Sequence, residues 1–213
     1  MIVRSNTTDL ENIAKCHIKA FPKALASAMG KRVVKKMLSW YLSHEKTFLF
    51  HVEEEGVVRG YVGGMVLDGE LTQGSASAMA NHTGKEAMLA MLTRPYLLFH
   101  PEVRKKYPLL MNSLLAKLRL TKPKIMSNQQ RGEQQKEPYA GLVVIGVDPS
   151  SQGKGFGSQL IKEFERIAKE DYHLKKIQLS VKVYNEQAIA AYKKNGWEEK
   201  VRFRDSMTME KAI

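Results

Sequence analysis

Residues 143–168 read VVIGVDPSSQGKGFGSQLIKEFERIA, which places Gly153, Gly155 and Gly157 between an apolar run and an amphipathic one. The stretch 140–147 is apolar and rich in β-branched residues, the pattern of a buried strand. Asp148, Pro149, Ser150 and Ser151 supply turn chemistry. Beyond them Leu160, Ile161, Phe164, Ile167 and Ala168 recur at the spacing of one helical face. A strand, a glycine turn and a helix follow from residue types alone. Such a turn lets several backbone N–H groups converge at a helix amino terminus, where the dipole and unpaired donors favour an anion. Glycine removes the Cβ that would hold a phosphate away from the backbone.

The spacing narrows the choice of phosphate ligand. GxxxxGK[ST] fails because Gly146 and Gly153 are seven apart, and GxGxxG fails because Ser158 stands where the last glycine would be. The pattern that fits is [Gln/Arg]-x-x-Gly-x-[Gly/Ala], running from Gln152 to Gly157 after a strand that ends Val-Asp-Pro. Downstream, KKIQLSVKVYN predicts a further strand, and NEQAIAAYKKNGW follows with Asn185, Ala188, Tyr192, Gly196 and Trp197 at fixed offsets from Leu179 and Val181. Together, from about residue 139 to 197, the two motifs resemble those of the GNAT N-acetyltransferase superfamily. The resemblance implies an α/β (α+β) GNAT fold. Its mixed central sheet would be splayed at the acyl-CoA site and flanked by helices.

The resemblance also implies roles. Backbone N–H groups of Gln152, Gly153, Lys154, Gly155, Phe156, Gly157 and Ser158 would hold the pyrophosphate of acetyl-CoA or another short acyl-CoA. Lys154 reads equally as a phosphate partner and as a solvated loop lysine. The strand before the turn would offer a free N–H near the thioester oxygen, from the neighbourhood of Ile145 and Val147. Asn185 suits a helix cap, and the resemblance adds a hydrogen bond to CoA. Tyr192 sits with Ala188 and Ala191 at core-like helical spacing, while in the family this helix brings a phenol to the CoA sulfur as proton donor.

Elsewhere the pattern gives a first strand at residues 1–6, with Thr7 or Thr8 capping a helix over 9–21 that Pro22 ends. A second helix spans about 30–44, apolar at Val33, Val34, Met37, Leu38 and Tyr41, with Lys31, Arg32, Lys35 and Lys36 on its opposite face. Strands at 47–53 and 57–66 are joined at Glu55-Gly56 as a hairpin. From 67 to 138 the texture changes, and these residues read as an insertion within one domain spanning 1–213. GSASAMANHTG is small and polar, 85–92 and 108–120 are helical by spacing, and TKPKIMSNQQRGEQQKEP is a polar linker.

The formal net charge is +12. Nine Lys/Arg face three Asp/Glu in residues 1–50, and again in 101–137. These blocks suit phosphate-rich ligands or a solvated surface. No run of eighteen apolar residues and no signal peptide is legible, so the expectation is a cytoplasmic protein without a membrane span. Cys16 has no disulfide or CxxC partner, no metal site is expected, and Cys16 reads as a space-filling helix residue.

An amine acceptor must lose a proton before attack, which calls for a base. Of His51, Glu53, Asp68, Glu70, His82 and His100, the polar setting of His82 makes it the first choice. Ser75, Ser77, Asn81 and His82 offer hydroxyl, amide and imidazole groups suited to a sugar. The segment FPKALASAMGK, the WYLS helix and the insertion look like the GNAT sugar N-acyltransferases. On that likeness the acceptor is a small-molecule amine, a nucleotide-linked (dTDP or UDP) amino deoxysugar for surface polysaccharide synthesis. The alternative is a protein, peptide or small-amine N-acetyltransferase. A nucleic-acid or membrane binding module is disfavoured by the CoA motifs and by the lack of a helix-turn-helix pair. A homo-oligomer stays open.

Overall fold

A computed structural model describes residues 1–68, 75–105 and 137–213, and backbone only for 75–77. The helix expected at 108–120 and the linker after it lie outside the described residues.

Seven strands form one sheet in the order β1-β2-β3-β4-β5-β7-β6. They are β1 Ile2–Arg4, β2 Thr47–Glu54, β3 Val57–Leu67, β4 Tyr139–Val147, β5 Lys176–Lys182, β6 Glu198–Arg202 and β7 Ser206–Ala212. All neighbours are antiparallel except β4 and β5. The expected hairpin turns at Glu55 and Gly56, both at positive φ.

The helices are α1 Leu10–Ala20, α2 Leu25–Met29, α3 Lys31–Ser39, α4 Ser75–Thr93, α5 Pro101–Arg104, α6 Phe156–Glu170 and α7 Glu186–Lys194. Because side chains alternate across a strand, the sheet buries a core on each face. Phe48, Phe50 and Val62 meet the predicted apolar face of α6, while Leu49, Tyr61 and Met65 meet α1 and α3.

Three expectations are corrected and one helix is added. The α1 cap is Asp9 rather than Thr7 or Thr8. Asn6 Oδ1 accepts from the Thr8 N–H and hydroxyl, and Asp9 Oδ2 accepts from the Asn6 N–H, so this small turn engages the threonine before the helix begins. The helix expected over 30–44 ends as α3 at Ser39 and tightens into a 3-10 turn at Trp40–Leu42. There the Thr47 hydroxyl donates to the Tyr41 and His44 carbonyls at 2.9 Å each, tying the chain down to β2. The unforeseen α2 lies between Pro22 and Gly30, and its first N–H donates to Glu102 Oε1 at 2.9 Å. The short helix expected at 85–92 is the second half of α4, which takes in the small polar residues from Ser75 and runs unbroken for 19 residues. Its alanines are strong helix formers, the Thr83 hydroxyl bonds back to the Met79 carbonyl, and Ala78 and Met79 pack on the α1–α3 core.

Candidate active site

Strands β4 and β5 pair only at Ala140↔Ile177, Gly141↔Gln178 and Leu142↔Leu179. Beyond Leu142 each follows another partner. β4 stays on β3 up to Val147, and β5 stays on β7 up to Lys182. The two strands therefore part into a wedge. The Asp148 N–H donates to the Arg59 carbonyl at 2.8 Å, and the register Gly60↔Val147, Tyr61↔Gly146, Val62↔Ile145 is continuous behind it. By the two-residue alternation of a strand ladder, the N–H groups of Ile145 and Val147 point away from β3, into the wedge.

The wedge opens into a groove of about 490 Å³, walled by the end of α1, β4, the glycine turn, the start of α6 and one face of α7. Gly153 and Gly155 adopt φ of +78° and +86°, and a Cβ at either would meet nothing within 4 Å. The backbone of the turn is thus open to close approach. Gly155 occupies the N-cap of the 15-residue α6 with no side-chain capping bond, leaving the first N–H groups free for an anion. Under the turn, Asp148 accepts from the Ser150 N–H and hydroxyl and pairs with Lys19 at 3.0 Å. The Ser150 bonds, then Lys19, hold its carboxyl below the usual range, and the lysine offsets a charge that would otherwise repel an anion.

On the far wall Asn185 caps α7, its side chain accepting from the Ala188 N–H at 3.3 Å. Tyr192, on the same helix, lines the groove while its ring packs 5.8 Å from that of Trp197. Burial raises its phenol to about 12, so it stays protonated. Gln152 spans the wedge mouth, donating to the Val147 carbonyl and accepting from Gln187, both at 3.4 Å.

The groove therefore gathers Ile145, Val147, Gln152, Gly153, Gly155, Gly157, Ser158, Asn185 and Tyr192. Lys154 is exposed beside it, and Phe156 turns its ring into the core, leaving only its backbone to the turn. His82 is not brought to the groove. It sits on α4, where its Nε2 lies 3.0 Å from Ser39 Oγ on α3, and burial followed by Lys36 lowers its pKa. Asn81 lies on the same helix and is not in the groove lining, while for Ser75 and Ser77 the structure describes only the backbone, at the start of α4. Sequence reasoning missed Ser151, Gln187, Ala191 and Lys194, which do line it, as does Phe21. Gln187 and Ala191 lie one turn apart on the face that carries Ala188, a periodicity that could have revealed them. Phe21 opens the segment FPKALASAMGK that the sequence analysis singled out. Among the described residues no cluster of three or more His, Cys, Asp or Glu could hold a metal.

Residues 124–197, about a third of the chain, match the model of the acetyltransferase (GNAT) family. No curated protein matches the chain. Among solved structures it is similar over its whole length to the PaiA N-acetyltransferase of Thermoplasma acidophilum in complex with coenzyme A. The identity is 13%, the TM-score 0.55, and 98% of that chain is covered. A ribosomal-protein-alanine N-acetyltransferase from Brucella melitensis aligns over all of this chain and 99% of its own, at 14% identity and TM-score 0.57. A chimeric spermidine N-acetyltransferase of Vibrio cholerae aligns at 15% identity and TM-score 0.55, over all of this chain and 95% of its own. The fold is the GNAT fold. The segment that carries both motifs, residues 124–197, is the part that matches the acetyltransferase family model.

Proposed function

We propose that the groove binds acetyl-CoA, or a slightly longer acyl-CoA, and transfers the acyl group to the amine of a nucleotide-linked amino deoxysugar. The N–H groups of residues 152–158 hold the pyrophosphate, with Lys154 and Lys194 adding charge at the rim. Asn185 caps α7 and reaches the CoA arm. As the amine forms its bond to the acyl carbon, the N–H groups of Ile145 and Val147 stabilise the developing oxyanion, and loss of one such donor costs roughly 10²-fold or more in rate. Tyr192 gives its proton to the sulfur as the carbon–sulfur bond breaks.

One observation carries the acceptor assignment: among the described residues, the groove lining holds no carboxylate and no histidine, and its one charged side chain is Lys194. A polyamine or a lysine-rich peptide would find no counter-charge there. With no side-chain base in the lining, water takes the amine proton, which favours an acceptor less basic than a lysine ammonium at ~10.4. A ring amine beside electron-withdrawing oxygens fits that need, and a diphosphate suits the net charge of +12.

A thiol-release assay with acetyl-CoA tests this reading. dTDP- or UDP-linked amino sugars should be turned over far faster than spermidine, aminoglycosides or lysine peptides, with the free amino sugar a poor substrate and binding weakened by salt. Preference for a peptide α-amine would overturn the sugar assignment in favour of a protein N-acetyltransferase, and preference for spermidine in favour of a small-amine enzyme.

A further inference from the structure

Gly146 sits on β4 between Ile145 and Val147, the two residues whose N–H groups point into the wedge, and all three line the groove. No side chain fits at this glycine. A Cβ there would meet the Tyr61 ring at 2.8 Å and the Phe21 ring at 2.9 Å. Those two rings therefore close the α1 side of β4 at the level of the paired donors, and Phe21 itself lines the groove.

The wall they make is held in place from behind. Tyr61 is fully buried on β3, and its hydroxyl is bonded to His17 Nδ1 on α1. The His17 ring stands 5.0 Å from that of Phe21 and 5.9 Å from that of Tyr61, so the three rings form one packed cluster. Phe21 ends α1, its N–H donating to the His17 carbonyl at 2.8 Å. The end of α1 is thus tied to β3 through His17 and, through the 3.0 Å pair of Lys19 with Asp148, to the residue that follows β4. A group whose carbonyl oxygen meets the Ile145 or Val147 N–H has this wall beside it. Close-packed walls make room for an added methylene only at a cost. We propose that Phe21, backed by His17 and Tyr61, sets the length of acyl chain that the groove accepts, admitting an acetyl or propionyl group and rejecting a hexanoyl group. The inference rests on the acyl-CoA reading of the groove and is independent of which amine takes the acyl group.

Isothermal titration of acetyl-, propionyl- and hexanoyl-CoA into the full chain, with free CoA as the reference, tests this without an acceptor. Each affinity is read as a ratio to the same protein's affinity for acetyl-CoA, so a general change in CoA binding cancels. In the wild type hexanoyl-CoA should bind roughly tenfold or more below acetyl-CoA, the discrimination a closed apolar pocket gives against surplus methylenes, while propionyl-CoA stays within about threefold. Phe21→Ala opens the wall and should bring hexanoyl-CoA to within about threefold of acetyl-CoA. Phe21→Trp keeps an aromatic wall and fills more space, so propionyl-CoA should then fall roughly tenfold below acetyl-CoA. The tryptophan variant decides the matter if Phe21→Ala melts too low to titrate. CoA binding by the wild type with equal affinity for all three thioesters overturns the chain-length proposal and leaves the acyl-CoA reading standing. A wild-type preference for acetyl-CoA that neither variant shifts does the same. Absence of CoA binding by the wild type overturns the acyl-CoA reading and this proposal together.

Discussion

Tyr192 is placed in two environments at once. Its ring belongs to the core with Trp197, and the residue also lines the groove. Because burial raises its phenol to about 12, it remains a donor across the working range, and no falling limb of activity below that pH arises from it. The rate should instead rise as the acceptor amine loses its proton. Tyr192→Phe should lower kcat about 10²-fold or more with CoA affinity unchanged, because only a contact made in the transition state is lost. Steady-state kinetics with a separate binding measurement decides this, and unchanged kcat would leave Tyr192 a core residue only. His17 makes a second residue-scale case. It is buried on α1, with Nδ1 bonded to Tyr61 Oη and Nε2 without a partner among the described residues. Burial drops its pKa from 6.5 to about 4. The unfolded chain takes up the proton near 6.5 and the native chain only near 4, so stability falls as pH drops between those values and levels below. The loss is about 3 kcal/mol. Urea unfolding at stepped pH should show it in the wild type and a much smaller loss in His17→Gln. Parallel curves would contradict the buried neutral imidazole. The sequence held a hint here, since Leu10, Ile13, Ala14 and His17 share one helical spacing, but spacing alone cannot say that an imidazole is dry.

The elements around the groove were the most legible. Strand β4, the turn, α6, β5 and α7 each carry a strong local signal, whether a β-branched run, glycines at fixed offsets or an apolar helical face, and the structure forms them where the residues predict. Strands β6 and β7 were not read at all. Every residue of β6 is exposed, so its sequence has no burial pattern to show. In β7 the alternation of buried Met207 and Met209 was present but short. The helix over residues 75–84 was not legible for a different reason: alanine and serine are small in both a loop and a helix, and only packing against α3 and the sheet core decides between them. Asn81 and His82 thus stand on a helix and not in the lining of the groove. The wedge could not be read from either strand alone, since it depends on β4 and β5 following different partners after three paired residues.

At the scale of the whole molecule, one sheet opens the groove at its parallel seam and packs helices on both faces. Helices α1 and α3 support β3 and β4 from one side, and α6 supports them from the other. The position of the Ile145 and Val147 donors is thereby set by packed layers rather than by a loop. The central claim is that the open seam and the glycine turn form the acyl-CoA site, and Gly155 is an exposed point of that turn. Its φ of +86° and the free space around it mean that a glutamate there puts bulk, strain and negative charge where the pyrophosphate should lie. Isothermal titration of CoA into the wild-type protein and Gly155→Glu, with melting temperatures taken in the absence of ligand, measures this directly. The wild type should bind one CoA per chain and the variant none, with both proteins folded. Equal CoA binding by the folded variant, or none by the wild type, would contradict the account.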